Sequence, residues 1–138
     1  MTRTSNTENS APSIAVVICT HNRPAVLERC LQRLQQVDDP DFSVVVVDSA
    51  PNSSEAKSVA ARYGARYYLS PLKGASRARN IGTRATDADI IAYLDDDMVP
   101  HASWLISLIA EFADRDVRAA TGPVLALELA EGSDVDLN

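Results

Sequence analysis

The chain has 138 residues, of which 46% are hydrophobic and 23% charged, and it carries only two cysteines. This composition is typical of one folded domain with a hydrophobic core, and it excludes a disordered chain and a disulfide-stabilised scaffold. The formal net charge of −6 at pH 7 argues against a general nucleic-acid-binding protein, which would carry a basic face.

The hydrophobic pattern divides the chain into three parts. Residues 1–13 lack hydrophobic periodicity and are predicted to be a disordered leader, followed by a folded domain over residues 14–127 and an acidic tail over residues 128–138. No apolar run is long enough to cross a membrane, and the polar start lacks the apolar segment of a signal peptide. We therefore expect a cytoplasmic location, with peripheral attachment to the inner face of the membrane as the alternative. Cys19 and Cys30 have no partner at metal-binding spacing and are expected to be buried thiols.

Apolar runs alternate with amphipathic segments along the folded domain. The apolar runs predict strands at residues 15–19, 44–47, 65–69, 90–94 and 119–127. The amphipathic segments between them predict helices at residues 24–34, 55–63, 75–85 and 104–112. This order predicts an α/β fold with a mostly parallel central sheet and helices on both of its faces.

Polar residues follow three of the predicted strands at the point where each strand ends. They are Thr20, His21 and Asn22 after the first strand, Asp48 after the second, and Asp95, Asp96 and Asp97 after the fourth. In parallel sheets, ligands bind at the carboxyl ends of the strands. We therefore expect these side chains to lie together at one edge of the sheet.

The three consecutive aspartates predict a cation site. Side chains two residues apart on an extended chain point to the same side, so Asp95 and Asp97 are expected to share a direction while Asp96 faces away. Carboxylates this close repel one another unless a proton or a cation intervenes. Hard oxygen ligands suit Mg²⁺ or Mn²⁺ that bridges to a phosphate. The alternative is a solvated turn that caps the next helix.

A basic cluster precedes the fourth strand. Lys73, Arg77 and Arg79 lie in one loop and in the first turns of the third predicted helix, whose N-terminus adds a partial positive charge suited to phosphate. Because Arg77 and Arg79 cannot share a helical face, one is expected to reach a ligand and the other to bind a neighbouring carboxylate. The alternative is a solvated basic surface.

Asp48 is unusual because it ends an apolar run, where a carboxylate must meet a hydrogen-bond donor or water. A nucleobase or a ribose offers such donors, and a structural pairing with the basic loop is the alternative. For Thr20 and Asn22, the alternative to ligand binding is capping of the following helix. The sequence contains neither GxGxxG nor GxxxxGK[ST], so it gives no support for dinucleotide or P-loop binding.

Four motifs in this order resemble family 2 glycosyltransferases with the GT-A fold. The motifs are SIAVVICTHNRPAVLERCLQRL, VVVVDSAP, GASRARNIG and IIAYLDDDMVP, and the match runs from about residue 13 to residue 127. The resemblance implies a nucleotide-diphosphate-sugar donor, Mn²⁺ or Mg²⁺ as cofactor, and an acceptor hydroxyl on an unknown sugar, lipid or protein. The implied activity is metal-assisted transfer of the sugar to that hydroxyl.

The resemblance also implies roles for residues at the nucleoside end of the site. Thr20 and His21 would contact the nucleobase and the ribose, with the His21 ring able to stack on the base and Asn22 beside them. Asp48 would bind the base or the ribose. Ser49 stands where many members of the family carry a second acid, so the nucleobase stays open.

At the diphosphate end, the resemblance implies that Arg79 and Asn80 shape the diphosphate and sugar pocket, with Arg77 as their companion. The residues that fill the DXD position of the family are Asp95, Asp96 and Asp97. The first two are expected to bind the nucleotide sugar, and the last, together with the first, is expected to hold the metal.

The resemblance implies the donor-binding half of the family's domain and not its acceptor half. No residue matches the carboxylate that deprotonates the acceptor, and the nearby acids Glu128 and Glu131 receive no role. We expect an incomplete domain whose exposed apolar surface promotes association. Two other functions stay open, which are a non-catalytic nucleotide-binding or interaction module and a metal-dependent phosphotransfer domain.

Overall fold

A four-stranded parallel sheet forms the centre of the molecule. The structure is a computed structural model that describes residues 10–38 and 41–125. The strands are β1 (Ile14–Thr20), β2 (Ser43–Ser49), β3 (Arg66–Ser70) and β4 (Ile90–Asp95). They lie in the order β3-β2-β1-β4, and each neighbouring pair is parallel.

Four helices connect or follow the strands. They are α1 (Pro24–Leu34), α2 (Glu55–Arg62), α3 (Ala75–Arg84) and α4 (Trp104–Ala110), the last of which continues into a 3₁₀ turn at Glu111–Ala113. The first four predicted strands and all four predicted helices are confirmed, each within two residues of its predicted bounds. The predicted fold class, a parallel α/β sheet with helices on both faces, is confirmed as well.

Both faces of the sheet are buried, which explains the all-apolar sequences of β1 and β2. In β1, Val16 and Ile18 face the larger core under α1, α2 and α4, while Val17 faces the smaller core under α3, and all three are at most 1% exposed. Burial of each such side chain contributes roughly 1.5–3 kcal/mol to folding. A strand covered on both faces has no polar side, and its sequence therefore shows no alternation.

Small residues let α3 approach the sheet closely. Ala78 is fully buried against the sheet, and a Cβ atom added to Gly82 would lie 2.3 Å from Cγ1 of Val17 and 3.3 Å from Cγ2 of Val47. Real Cβ atoms do not approach carbon this closely, so Gly82 sets the distance between α3 and the sheet. The same distance fixes the position of the arginines that α3 carries.

The predicted fifth strand is wrong in the part that the structure describes. Residues 119–125 form no strand, and all of them except Ala120 are exposed. The apolar side chains that suggested a strand, Val124 and Leu125, are 70% and 55% exposed. A strand needs a neighbour to pair with, and none of the described residues pairs with this segment. Residues 126 and 127 lie outside the described residues.

The predicted leader and tail lie largely or wholly beyond the described part of the chain, since residues 1–9 and 128–138 fall outside it. None of the helices in the described ranges combines the length and the apolar character needed to span a membrane. Cys30 is a buried thiol, as predicted, and burial raises its pKa to about 12. Cys19 is only half-buried, because it lies where β1 reaches the open edge of the sheet.

Candidate functional site

The carboxyl ends of three neighbouring strands meet at one edge of the sheet. Thr20 of β1 lies opposite Asp48 of β2, and Cys19 lies opposite Asp95 of β4. The register therefore brings the polar residues that follow these strands together, as the sequence predicts. The chain order on the two sides of β1 also reverses here, and such a switch point opens a crevice in which α/β sheets bind ligands.

The three aspartates, residues 95–97, form what we call the acidic turn. β4 ends at Asp95, and the chain then turns back, with the Met98 N–H donating to the Asp95 carbonyl oxygen at 3.1 Å. Asp96 is 1% exposed, and Thr20 Oγ1 donates a hydrogen bond to its Oδ2 at 2.8 Å. Arg23 donates to the other oxygen, Oδ1. Both oxygens of Asp96 are therefore paired inside the protein.

Exposure alternates along the acidic turn, which agrees with the prediction that Asp96 faces away from its two neighbours, but the cause is different. Asp95 and Asp97 have side chains that are 55% and 59% exposed, while Asp96 is buried. The backbone is turned and not extended after Asp95, so the strand period does not explain this arrangement. Burial raises the pKa of Asp96, and the Thr20 hydrogen bond and the Arg23 charge offset part of that rise. We assign Asp96 a structural role in place of the predicted contact with a nucleotide sugar.

Each carboxylate of the acidic turn has an arginine partner. Arg23 binds Asp96 and also lies 3.8 Å from Asp97, measured from Nη1 to Oδ2. Arg79 Nη2 lies 3.3 Å from Asp95 Oδ1. The guanidinium groups therefore relieve part of the repulsion between the carboxylates. The sequence alone predicted that a cation or a proton would do this.

Arg23 is one residue of this site that sequence reasoning missed. It lies directly before α1, in the same loop as the predicted site residues His21 and Asn22, and that position was the available signal. Its partners are 73 and 74 residues further along the chain, so only the fold reveals the pairing.

The basic cluster on α3 behaves in part as predicted. Arg79 binds a carboxylate, which is the role expected for one of the two arginines. Arg77 and Asn80 are exposed on the helix, and Arg77 forms no ion pair with the described residues. The Gly74 N–H donates to Ser49 Oγ at 3.0 Å, which joins the start of α3 to the end of β2. The start of α3 therefore lies beside the end of β2, at the same edge of the sheet.

Asp48 is a buried carboxylate with one free oxygen. It is 1% exposed, and Tyr67 Oη of β3 donates to its Oδ2 at 2.9 Å. Its Oδ1 is buried and has no hydrogen-bond partner among the described residues. Burial raises the pKa of Asp48, while the Tyr67 hydrogen bond and the nearby His21 lower it in part. The predicted alternative, a pairing with the basic loop, is wrong, because the partner is a tyrosine that the sequence analysis placed only in a strand.

The loop after β1 is joined to the loop after β2. His21 Nδ1 donates to the Ser49 carbonyl oxygen. Asn22 has a positive φ of 49° and accepts a hydrogen bond from the Asn52 N–H at 2.8 Å. The predicted alternative to ligand binding by Thr20 and Asn22 was capping of the following helix. It is wrong, since residue 23 occupies the N-cap position and no side chain caps α1.

The acidic turn does not form a closed metal cage. In the described ranges, no three His, Cys, Asp or Glu side chains are grouped so that they could enclose an ion. Asp95 and Asp97 nevertheless offer exposed hard oxygen ligands at the edge of the crevice. Mg²⁺ is commonly held by one or two carboxylates and completed by substrate phosphates and water. The residues present fit a cation of that kind. A bound diphosphate and water would supply its remaining ligands.

Two surface clefts lie away from this edge of the sheet. One, of about 380 Å³, runs between α1 and α2, and another, of about 650 Å³, lies near the amino ends of β1 and β2. Neither is lined by a predicted site residue. The candidate site therefore lies outside both of these clefts.

Known proteins resemble this chain in sequence. The family model for glycosyl transferase family 2 matches residues 15–132. The chain is 32% identical to hyaluronan synthase of Pasteurella multocida over 123 residues, which cover 84% of this chain and 13% of that protein. Each of these similarities concerns the region that contains the sheet and the acidic turn.

Solved structures show the same fold. The mannosyltransferase PcManGT from Pyrobaculum calidifontis, in complex with GDP-Man and Mn²⁺, has a TM-score of 0.68 at 25% identity, over 79% of this chain and 34% of that one. Glucosyl-3-phosphoglycerate synthase from Mycobacterium tuberculosis, in complex with Mn²⁺, UDP and glucosyl-3-phosphoglycerate, has a TM-score of 0.63 at 23% identity, over 75% of this chain and 40% of that one.

The chain spans less than half the length of each of these three proteins. Its parallel sheet with helices has the GT-A fold of these structural neighbours. The match of the family model to most of the chain decides the assignment. The chain belongs to glycosyl transferase family 2.

Proposed function

We propose that this chain forms the donor-binding part of a glycosyltransferase that moves a sugar from a nucleoside diphosphate to an acceptor hydroxyl with the help of Mn²⁺ or Mg²⁺. The observation that carries the proposal is the meeting of three kinds of group at one sheet edge. These groups are a buried carboxylate with a free oxygen, an exposed pair of carboxylates, and arginines at a helix N-terminus. Together they match a nucleoside diphosphate. The buried carboxylate suits a hydrogen-bond donor of the base or ribose, the exposed carboxylates suit a metal ion on the diphosphate, and the arginines suit its negative charge.

The nucleoside would bind at the ends of β1 and β2. Asp48 offers a free oxygen to a base or ribose donor, and His21 lies beside it with its ring available for stacking. Asn22 holds the loop by its hydrogen bond to Asn52, and Thr20 holds the acidic turn by its hydrogen bond to Asp96. These contacts support a nucleoside site made by two joined loops.

The diphosphate would lie between the acidic turn and α3. Arg79 is 44% exposed and already reaches the acidic turn, while Arg77 and Asn80 are exposed on the same helix. The first N–H groups of α3 add partial positive charge at this edge. We assign these three side chains to the diphosphate and the sugar.

The cation would be held by Asp97 together with Asp95, the two exposed carboxylates of the acidic turn. When bound, it would neutralise charge that develops on the leaving nucleoside diphosphate. Two of the solved relatives are complexes with Mn²⁺, one of them with GDP-Man and the other with UDP. Their metal and donors support a divalent cation and a nucleotide sugar for this chain.

The test is a titration of UDP-sugars and GDP-sugars into the purified chain, with and without Mn²⁺, by calorimetry. We expect at least one donor to bind, and to bind more tightly with Mn²⁺ present. Asp97→Ala should abolish the metal-dependent part of binding without lowering the melting temperature, because Asp97 is exposed. The matched control is Asp87→Ala, an exposed aspartate near the opposite edge of the sheet. If no donor binds under either condition, the proposal is wrong. If Asp97→Ala binds donor and metal like the parent, the metal assignment is wrong.

A further inference from the structure

The free oxygen of Asp48 limits what the candidate nucleoside site can accept. Of the two oxygens of this carboxylate, Oδ2 is taken by the Tyr67 hydroxyl at 2.9 Å, and Oδ1 is buried without a partner among the described residues. A buried acceptor that stays unpaired is costly, and such atoms are rare in folded proteins. The arrangement leaves Oδ1 open to a donor from a bound ligand, whereas a second donor would have to share Oδ2 with the Tyr67 hydroxyl.

Tyr67 holds its hydroxyl in place through the sheet. In β3 it lies opposite Val46 of β2, and its ring packs against the larger core under α1 and α2. Asp48 is two residues beyond Val46 on the same strand, so both side chains lie on the same face of the sheet. The tyrosine hydroxyl therefore approaches Asp48 from a fixed direction, and Oδ2 stays occupied.

Nucleobases differ in how many donors they would present to such a carboxylate. Uracil has a single N–H on its pairing edge, at N3, between two carbonyl groups. Guanine has two adjacent donors, the N1–H and the 2-amino group, which together match two free carboxylate oxygens, as a bidentate arginine does. Because Oδ2 already accepts from the Tyr67 hydroxyl, the second guanine donor would have to share that oxygen. It would gain a weaker partner than the water it loses, and this costs affinity.

We propose that Tyr67 is a specificity-determining positioning residue, which restricts Asp48 to a single base N–H and thereby makes the site select uracil over guanine. The inference rests on the proposed binding of a nucleoside diphosphate at this edge. Tyr67 acts through Asp48 and need not touch the nucleotide itself.

Binding requires Asp48 to become accessible, since this residue is 1% exposed. The loops after β1 and β2, which lie next to it, are joined by the hydrogen bond from His21 to the Ser49 carbonyl and by the bond between Asn22 and Asn52. The base N–H replaces no existing partner of Oδ1, so the opening is offset by a new charge-assisted hydrogen bond.

The test compares three nucleoside diphosphates, UDP, GDP and IDP, on the full chain with Mn²⁺ present. IDP keeps the N1–H of guanine but lacks its 2-amino group, so the ratio of GDP affinity to IDP affinity isolates the second donor from the size of the base. For the parent, we expect UDP to bind about tenfold more tightly than GDP, and GDP to bind no more tightly than IDP. Tyr67→Phe frees Oδ2 and should raise the GDP-to-IDP affinity ratio by about tenfold.

The matched control is Tyr68→Phe, which changes the neighbouring residue on the opposite face of the sheet and should leave all three affinities unchanged. A parent that binds none of the three nucleotides would overturn the proposed function, and this inference with it. Nucleotide binding with an unchanged GDP-to-IDP ratio in Tyr67→Phe would overturn the inference alone. If Tyr67→Phe does not fold, the parent still decides, because tighter binding of GDP than of IDP contradicts an occupied Oδ2.

Discussion

Gly82→Ala tests whether close packing of α3 on the sheet holds the basic side of the site. The added methyl group would lie 2.3 Å from Cγ1 of Val17, about 1.5 Å inside the normal carbon contact distance of roughly 3.5–4.0 Å, and 3.3 Å from Cγ2 of Val47. Val17 and Val47 are at most 1% exposed and cannot turn aside into solvent. Overpacking of this kind costs about 1–3 kcal/mol.

Helix propensity acts in the opposite direction. Replacing a helical glycine by alanine gains about 1 kcal/mol when nothing obstructs the methyl group. Because the clash is with two buried side chains, we expect overpacking to outweigh propensity, and the free energy of unfolding to fall by up to about 2 kcal/mol. Arg79 would also be displaced from Asp95, and this should weaken any nucleotide binding at the edge.

The assay is urea denaturation of four variants, which are the parent, Gly82→Ala, Val17→Ala and the double variant. Val17→Ala removes the methyl group that obstructs residue 82. The double variant should therefore be about 1–2 kcal/mol more stable than the sum of the two single effects predicts. An increase in stability on Gly82→Ala alone would refute the reasoning, since it would mean that α3 has free space above the sheet.

Two further predictions concern buried carboxylates. Arg23→Met should lower the free energy of unfolding by about 2 kcal/mol, less than the roughly 3–5 kcal/mol of a fully buried pair because Arg23 is 49% exposed, and adding Asp96→Asn should recover most of the loss. Equal losses in the single and double variants, measured by urea denaturation, would contradict this account of the pair. Burial raises the pKa of Asp48, so its contribution to stability is greatest below its unfolded pKa of about 3.8 and is lost as the pH rises through the folded pKa. Asp48→Asn should therefore become more stable relative to the parent between pH 4 and pH 7, and denaturation curves that show the opposite trend would overturn the assignment.

Much of the fold could be predicted because its determinants are local. The apolar sequences of β1 and β2 predict strands buried on both faces, and Val16 and Val17 confirm it by packing on opposite cores. The edge of the sheet could be predicted as well, because parallel strands bring their carboxyl ends together whatever the details of packing. These inferences need only the order of the elements and the period of their side chains.

The partners within the site could not be predicted in the same way. Arg23 binds Asp96 across 73 residues, and Tyr67 binds Asp48 from a strand whose sequence gave no sign of a polar role. The predicted fifth strand failed for a related reason, since an apolar run shows that a segment can be buried but not that a neighbour is there to pair with it. Contacts between distant segments depend on register and on side-chain geometry, which the spacing of residue types does not contain.

The unequal covering of the two faces of the sheet has a consequence for motion. In the described part of the chain, α1, α2 and α4 share the larger core, whereas α3 is held by the smaller one around Val17, Val45 and Val47. Elements anchored by little apolar surface open before the rest of a protein unfolds. The amide protons of α3 should therefore exchange with solvent well ahead of those of β1. Each opening of α3 would also carry Arg79 away from Asp95 and leave that carboxylate briefly without its counter-charge.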